Sequence, residues 1–508
     1  VTDLAELTID QVQTAFAAGT LTAEALTLEC LEQIARWNPA YNALIFFNDQ
    51  ALTTARLIDR QRRDGARLGA LAGIPVVVKD TIDMVGFPTT AGWRLLHGKT
   101  GGIDLLPATD APVVARLRSA GAVILGKTNV PILSHSGTHA NDSWAGPTYN
   151  AAGRGFVPGG SSAGTATAVA AGMALAGLGE ETGGSIQNPA SAQALVGIKP
   201  TFGLVPTAGV MPLSSLRDVV GPMARTVRDA ALTLDVLAGY TADDFKTVAC
   251  IGQRPRGGYA ANLERGALRS ARIGTYGPGW RTQPLSTAAT RLYERALSEL
   301  GTLGAVIVED PFAGSGLAAL RRLSPPLTEG DERGLESLPF DLHHYLVRLG
   351  PDAALKTFAD FVRATAAEDA FGPRGKLNFM HSVPGFAECL AAPTVAPNQD
   401  AFIALRERYL ALFKETFHRH RLDALIFPQM RSELPALFAD EPIGETTVSE
   451  INIAGLPGIT VPAGYYASGA PFCLVCVGTA WSEAWLIQLA YDYEQATRHR
   501  RVPILEAP

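Results

Sequence analysis

No stretch of the 508-residue chain stays apolar for the ~18 residues that a membrane-spanning helix requires. The polar start, Thr2-Asp3 through Asp10, lacks the apolar core of a secretory signal. Cysteine is scarce and odd in number: five residues make no disulfide framework and fit a reducing, cytoplasmic setting. A basic excess is missing too, since 43 Lys and Arg face 49 Asp and Glu for a net charge of −6. No nucleic-acid partner is expected of such a surface, and no membrane association follows from the missing apolar run. Internal repeats and charge runs are absent. Gly at 51 and Pro at 33 exclude collagen-like and low-complexity chains. What is present is a core-forming composition, 47% hydrophobic and only 18% charged, in a chain long enough for roughly three domains or one large one.

The elements alternate. Leu7, Ile9, Val12 and Phe16 recur at helical spacing up to Gly19, and Thr22 is placed to cap a second helix through Leu26, Cys30 and Ile34. Ile74 to Val78 reads as a buried strand ending at Lys79-Asp80, and Ala111 to Gly121 as a helix before the strand Ala122 to Leu125. An Ala-rich helix is expected at Thr165 to Leu175. Residues 245–420 change character, with loops at 254–258, 324–326 and 371–375 between amphipathic helices and a strand pair at 271–275 and 305–308. Strands return at 424–427, 459–461 and 472–477 before a closing helix from Ser482 to about Thr497. Such alternation favours an α/β layered fold.

Three motifs have dull readings that win. Gly121 to Thr128 fits the phosphate-loop pattern, but its variable positions, Ala-Val-Ile-Leu, form a buried strand where the chemistry needs an exposed loop. Gly160-Ser161-Ser162-Ala163-Gly164 fits a nucleophile elbow on Ser162, yet Val157-Pro158-Gly159 is a poor strand end. Cys473 and Cys476 point to opposite faces of a strand, and the paired histidines lack partner ligands, so no metal site is expected.

What remains is a constellation over a hundred residues. Lys79 ends an apolar strand, and Gly159-Gly160-Ser161-Ser162 and Glu181-Thr182-Gly183-Gly184-Ser185 are Gly/Ser turns. This set suits acyl transfer. A serine needs a base, no histidine recurs near either turn, and burial lowers a lysine from about 10.4 towards a usable range. Glycines before Ser185 leave backbone N–H groups bare to meet an oxyanion. Either turn alone would be only a turn.

In these spaced motifs the chain resembles the amidase signature family, whose region runs from a Lys through G-G-S-S-[GAS]-G to [DE]-T-G-G-S-I. The family's two serines stand twenty-four residues apart, as 161 and 185 do here. Gly126-Lys127-Thr128-Asn129, Gly197 to Thr201, Asp218 to Arg225 and Ala454 to Pro462 extend the likeness over roughly 1–245 and 420–500. The resemblance implies one α/β/α domain over 1–508 with a mixed, mostly parallel central sheet, in which 245–420 is a variable helical segment shaping the pocket. It implies Ser185 as nucleophile, Ser161 as a bridging serine on a cis peptide after Gly160, and Lys79 as base. The N–H groups of Thr182, Gly183, Gly184 and Ser185 would line the oxyanion hole, with Ser162 and Ser191 hydrogen-bonding behind the triad. Gly160 and Gln187 would touch substrate; Gln187 stands where the family usually has Arg, and Glu181 where it often has Asp.

The implied reaction is hydrolysis of linear amides through an acyl-enzyme, without metal or organic cofactor, by a monomer or homodimer that needs only a small amide and water. Neutral aryl or alkyl amides are expected first, then carbamates, esters or nylon-type oligomers. Trp93, Leu133, Trp144, Phe427 and Met430 are candidate pocket residues. The alternative is the amidase component of a glutamine-dependent tRNA amidotransferase, for which only Arg272 to Tyr276 offers a local match.

Overall fold

The computed structural model describes residues 3–261, 263–321 and 331–507, so the loop expected at 324–326 lies outside the described residues. Apolar β-branched runs form the strands Leu44–Phe47 (β1), Pro75–Lys79 (β2), Val123–Thr128 (β3), Ala176–Glu181 (β4), Val196–Lys199 (β5) and Val219–Ala224 (β6). Arg272–Gly274 (β7), Val306–Val308 (β8), Ala424–Pro428 (β9), Gly458–Tyr465 (β10) and Pro471–Val477 (β11) follow. They join one sheet in the order β1-β3-β2-β4-β6-β5-β10-β11-β9-β7-β8. Strands β2 to β6, β9 and β11 are buried at every position, so helices cover both faces.

The sheet is mixed, as expected, but antiparallel pairs outnumber parallel ones. Only β2–β3, β2–β4, β7–β8 and β7–β9 run parallel. Helical crossovers such as Pro112–Ser119 and Thr287–Thr302 make these pairs possible. The centre is antiparallel because β10 turns directly into β11 across residues 466–470, and because β6 runs against both β4 and β5.

The second helix begins where the sequence places its cap, at Thr22, and the first is capped by Thr8, which the apolar spacing did not mark. The Thr8 side chain accepts from Gln11 N in a capping box before Ile9–Ala17, and Thr22 accepts from Ala25 N before Ala23–Tyr41. The Gly121–Thr128 pattern is strand, as its apolar filling requires. Lys127 is fully buried with its Nζ 3.2 Å from Asp80, which leaves no phosphate cradle. Residues 245–420 supply more than helices, since β7 and β8 extend the sheet edge. The helices Leu338–Arg348, Phe358–Ala364 and Phe386–Ala391 pack with Trp93, Leu96 and Leu105 into a hydrophobic cluster separate from the one on the sheet.

No helix among the described residues is long and apolar enough to cross a membrane, and no group of three His, Cys, Asp or Glu is placed to hold a metal. All five cysteines are buried and unpaired. Burial pushes Cys30, Cys473 and Cys476 up to about 12.

One buried ion pair locks the middle segment onto the rest of the molecule. Arg281 meets Glu450 with Nε–Oε1 at 2.6 Å and Nη2–Oε2 at 2.7 Å, both side chains fully enclosed. Glu450 lies on the helix Ser449–Ala454, whose Asn452 reaches Glu181 at the end of β4. Removing one partner of such a pair strands the other charge. Glu450→Ala should therefore lower unfolding free energy by about 3–5 kcal/mol in denaturant titrations. A loss within the range of a surface substitution would refute that role.

Candidate active site

Lys79 is the last residue of β2, and its neighbour β4 runs parallel with Val78 opposite Leu178. This register brings Lys79 beside Glu180, deep in the sheet where Lys79 is 0% exposed. Its Nζ lies 2.6 Å from Ser161 Oγ, 3.0 Å from the Glu180 main-chain oxygen and 2.8 Å from Glu180 Oε2. Burial is as the sequence implies; the carboxylate beside the lysine is not. The Gly160–Ser161 peptide is cis, and Gly160 N donates to Gly137 O at 2.9 Å. A side chain at Gly160 would collide with Ser136 O, so this glycine is there for close backbone approach and its Cα faces protein, not open space.

The chain leaves β4 at Glu181 and turns through residues 182–185. Among the described residues the backbone N–H groups of Thr182, Gly183, Gly184 and Ser185 make no hydrogen bond. Gly184 has φ +95°, a conformation that favours glycine, and its carbonyl accepts from Asn188 N at 2.7 Å. Glu181 pins the far side of the turn. Its carboxylate accepts from Ile186 N (2.8 Å), Gln187 N (3.0 Å), Gln187 Nε2 (2.6 Å) and Asn452 Nδ2 (2.9 Å). From the other side Arg217 Nε donates to Thr182 O at 3.2 Å. A row of free donors held rigidly at both ends is what an oxyanion site needs.

Ser185 is 6% exposed, whereas Ser161 and Ser162 are 0% exposed. The Ser185 hydroxyl has no hydrogen-bond partner among the described residues, and its carbonyl accepts from Ser162 N at 3.3 Å. Ser162 Oγ is turned to the main chain of Glu180, 3.3 Å from its oxygen and 3.4 Å from its nitrogen. That orientation suits support behind the site and removes the elbow reading, as does the absence of a strand before it. Two residues depart from their expected contacts. Gln187 is 0% exposed and tied to Glu181, so it packs behind the turn instead of touching substrate. Ser191 has a buried hydroxyl with no partner and does not join the network.

Glu180 and Asp218 are the residues sequence reasoning missed. Thr182 Oγ1 stands 3.1 Å from Glu180 Oε1 and 2.6 Å from Asp218 Oδ1. Burial, and then the Glu180 carboxylate, push Asp218 up to about 7. The available signal was two consecutive carboxylates at the end of an apolar strand, whose side chains must point to opposite faces.

An apolar cavity opens beside the turn that follows Lys79, lined by Thr81, Leu133, Met211, Leu342, Phe361 and Phe371 among others. Of the aromatic and apolar candidates only Leu133 lines it. Trp93 packs on Phe361 behind its wall, Trp144 lies against His97, and Phe427 belongs to the Trp280 cluster.

Comparison with known proteins gives the family and the fold. Residues 25–487 match the family model described as Amidase. The chain is 32% identical to a glutamyl-tRNA(Gln) amidotransferase component from a Cyanothece species, covering 95% of this chain and 96% of the relative. The native peptide amidase of Stenotrophomonas maltophilia superposes with TM-score 0.80 at 35% identity, covering 99% of each chain. A bacterial aryl acylamidase of the amidase signature enzymes shares the fold, with TM-score 0.76 and 22% identity over 97% of this chain and 96% of that one.

Two outcomes follow from this network. Glu181→Ala frees the turn and leaves buried donors unpaired, so kcat/KM should fall by about 10²-fold or more, as loss of an oxyanion donor does. An unchanged rate would show that the turn holds its shape without Glu181. Asp218 binds its proton more tightly folded than unfolded, so its contribution to stability declines as pH rises from its ordinary value of 3.8 to about 7. Asp218→Asn, which keeps the protonated shape, should be more stable than wild type at pH 8 and lose that advantage near pH 4, read by thermal unfolding at both.

Proposed function

Because the chain belongs to the amidase family, and so acts on carbon–nitrogen bonds, we propose that it cleaves linear amides through an acyl-enzyme on Ser185. The observation that carries this reading is the Lys79–Ser161 contact of 2.6 Å behind a turn of four unpaired N–H donors. Ser185 Oγ bonds to the amide carbon while its proton passes to Ser161 and the Ser161 proton to Lys79 Nζ. The developing oxyanion takes hydrogen bonds from residues 182–185. The carbon–nitrogen bond then breaks, the proton returns to the leaving amine, and water hydrolyses the ester to regenerate Ser185.

The substrate has two versions. The apolar lining of that cavity, five of whose twelve residues lie in 338–377, favours a neutral aryl or alkyl amide turned over by this chain alone. Sequence relatives such as the Cyanothece protein support the other: work as the amidase component of a glutamyl-tRNA(Gln) amidotransferase, with glutamine as amide donor. The match of those relatives over nearly their whole length is the stronger of the two supports. The absence of a nucleic-acid partner, read from net charge, belongs only to the first version.

Purified chain should be assayed alone on a neutral anilide and on glutamine. Turnover of the anilide without a partner supports the first version; inactivity on both, relieved only by added partner proteins, supports the second. Ser185→Ala should abolish turnover in either, and Ser161→Ala should cost about 10²–10⁴-fold. Lys79→Arg should not rescue, since a guanidinium keeps its proton. An active Lys79→Arg enzyme would end the lysine-base reading.

A further inference from the structure

The acylation relay leaves one buried charge without a task. Glu180, 1% exposed, directs Oε2 at Lys79 Nζ (2.8 Å) and Oε1 at the Thr182 hydroxyl (3.1 Å). Nζ of Lys79 thus faces three acceptors, Ser161 Oγ, Glu180 O and Glu180 Oε2, the number of protons an ammonium group donates. The Thr182 hydroxyl owns one proton yet stands between two carboxyl groups. It satisfies both only when one of them is protonated and donates to it. Asp218 Oδ2 is occupied by Leu213 N and Ser214 N, each at 3.0 Å, while Oδ1 faces Thr182 at 2.6 Å. Burial pushes Asp218 up to about 7, so Asp218 is the partner that takes this proton, and Thr182 then donates to Glu180 Oε1 opposite Lys79.

Resting on the Ser185 reading, we propose that Glu180 is a positioning residue that holds Lys79 as a charged pair and so sets the pH at which Lys79 becomes the base for Ser161. The other charged groups lie beyond Asp218: Lys246 Nζ is 3.3 Å from Asp218 O, and Arg217 Nε binds Thr182 O. The remaining polar neighbour is the Ser162 hydroxyl, on the Glu180 main chain. The proton balance is simple. The pair loses one proton to water, which frees the Nζ lone pair. Attack by Ser185 breaks its O–H bond, and the relayed proton restores the charged pair as the oxyanion forms. Departure of the amine carries that proton away on nitrogen. Glu180 therefore makes the free base harder to reach at neutral pH and stabilises the protonated relay once acylation has begun.

The test is inactivation by a fluorophosphonate, with the rate followed across pH and the labelled serine identified by peptide mass spectrometry. Wild type, Glu180→Gln and Glu180→Asp are compared. Glu180→Gln keeps the shape and an acceptor but removes the charge, so its half-maximal pH should fall by about 1–3 pH units, the effect of removing an adjacent opposite charge. Glu180→Asp keeps the charge and should retain the wild-type midpoint at a lower maximal rate. A Glu180→Gln enzyme that labels more slowly at an unmoved midpoint overturns the proposal, because a merely structural role would do that. Should Glu180→Gln not fold, Glu180→Thr offers a hydroxyl acceptor for the same comparison. Label on Ser162 instead of Ser185 would sink the nucleophile assignment, while the midpoint comparison would still judge Glu180 separately.

Discussion

Lys79 is fully buried, and that burial governs the structure around it. A polar group enclosed in a sheet must find its partners within the protein or cost several kcal/mol. Lys79 finds Ser161 and Glu180; Glu180 finds Thr182; Thr182 finds Asp218. Ser161, the Glu180–Thr182 run and Asp218 sit on three different pieces of chain, so satisfying one lysine fixes the spacing of β2, β4, the start of β6 and the Gly/Ser turn at once. Glu181, one residue along and on the opposite face of β4, does the same for the turn and the helix Ser449–Ala454. Chemistry and folding therefore draw on the same hydrogen bonds.

The parts of this arrangement visible in the sequence were those with a repeating or spaced signal. Apolar runs gave away β2, β3, β9, β10 and β11, helical spacing the first helix, and Thr22 the cap of the second. The Lys79, Ser161 and Ser185 positions came from motif spacing, and two of the three are in contact. Strand direction was less visible, because pairing depends on which distant segments meet, and a run such as Val219–Ala224 carries no mark of its neighbours. Glu180 was hidden for another reason. In a Gly-Glu-Glu-Thr-Gly run a carboxylate reads as a solvated turn residue, and only the parallel register with β2 reveals what it faces. Gln187 illustrates the converse: its position relative to Ser185 suggested a substrate contact, but one helical turn points it back at Glu181.

The site is divided between regions under different constraints. Lys79 ends a strand that is buried at every position, where little can change, while Ser161 and Ser185 stand on the turns beside it. Five of the twelve residues lining the cavity lie in 338–377, whose helices belong to a hydrophobic cluster of their own, and the other seven come from residues 81–134 and 211–213. A substitution such as Phe371 to a smaller residue alters the cavity without touching the relay. The cavity can thus be reshaped while the Lys79–Ser161–Glu180 contacts stay fixed.

The buried thiols carry a practical consequence. None of the five is exposed, and burial holds each in its protonated, unreactive form at neutral pH. A single cysteine introduced on the surface would therefore be the one thiol available to maleimide chemistry in the native protein. Fluorophores or spin labels attached at chosen pairs of sites, one on the sheet and one on the helical wall, would report the distance between them without first stripping the natural cysteines from the sequence.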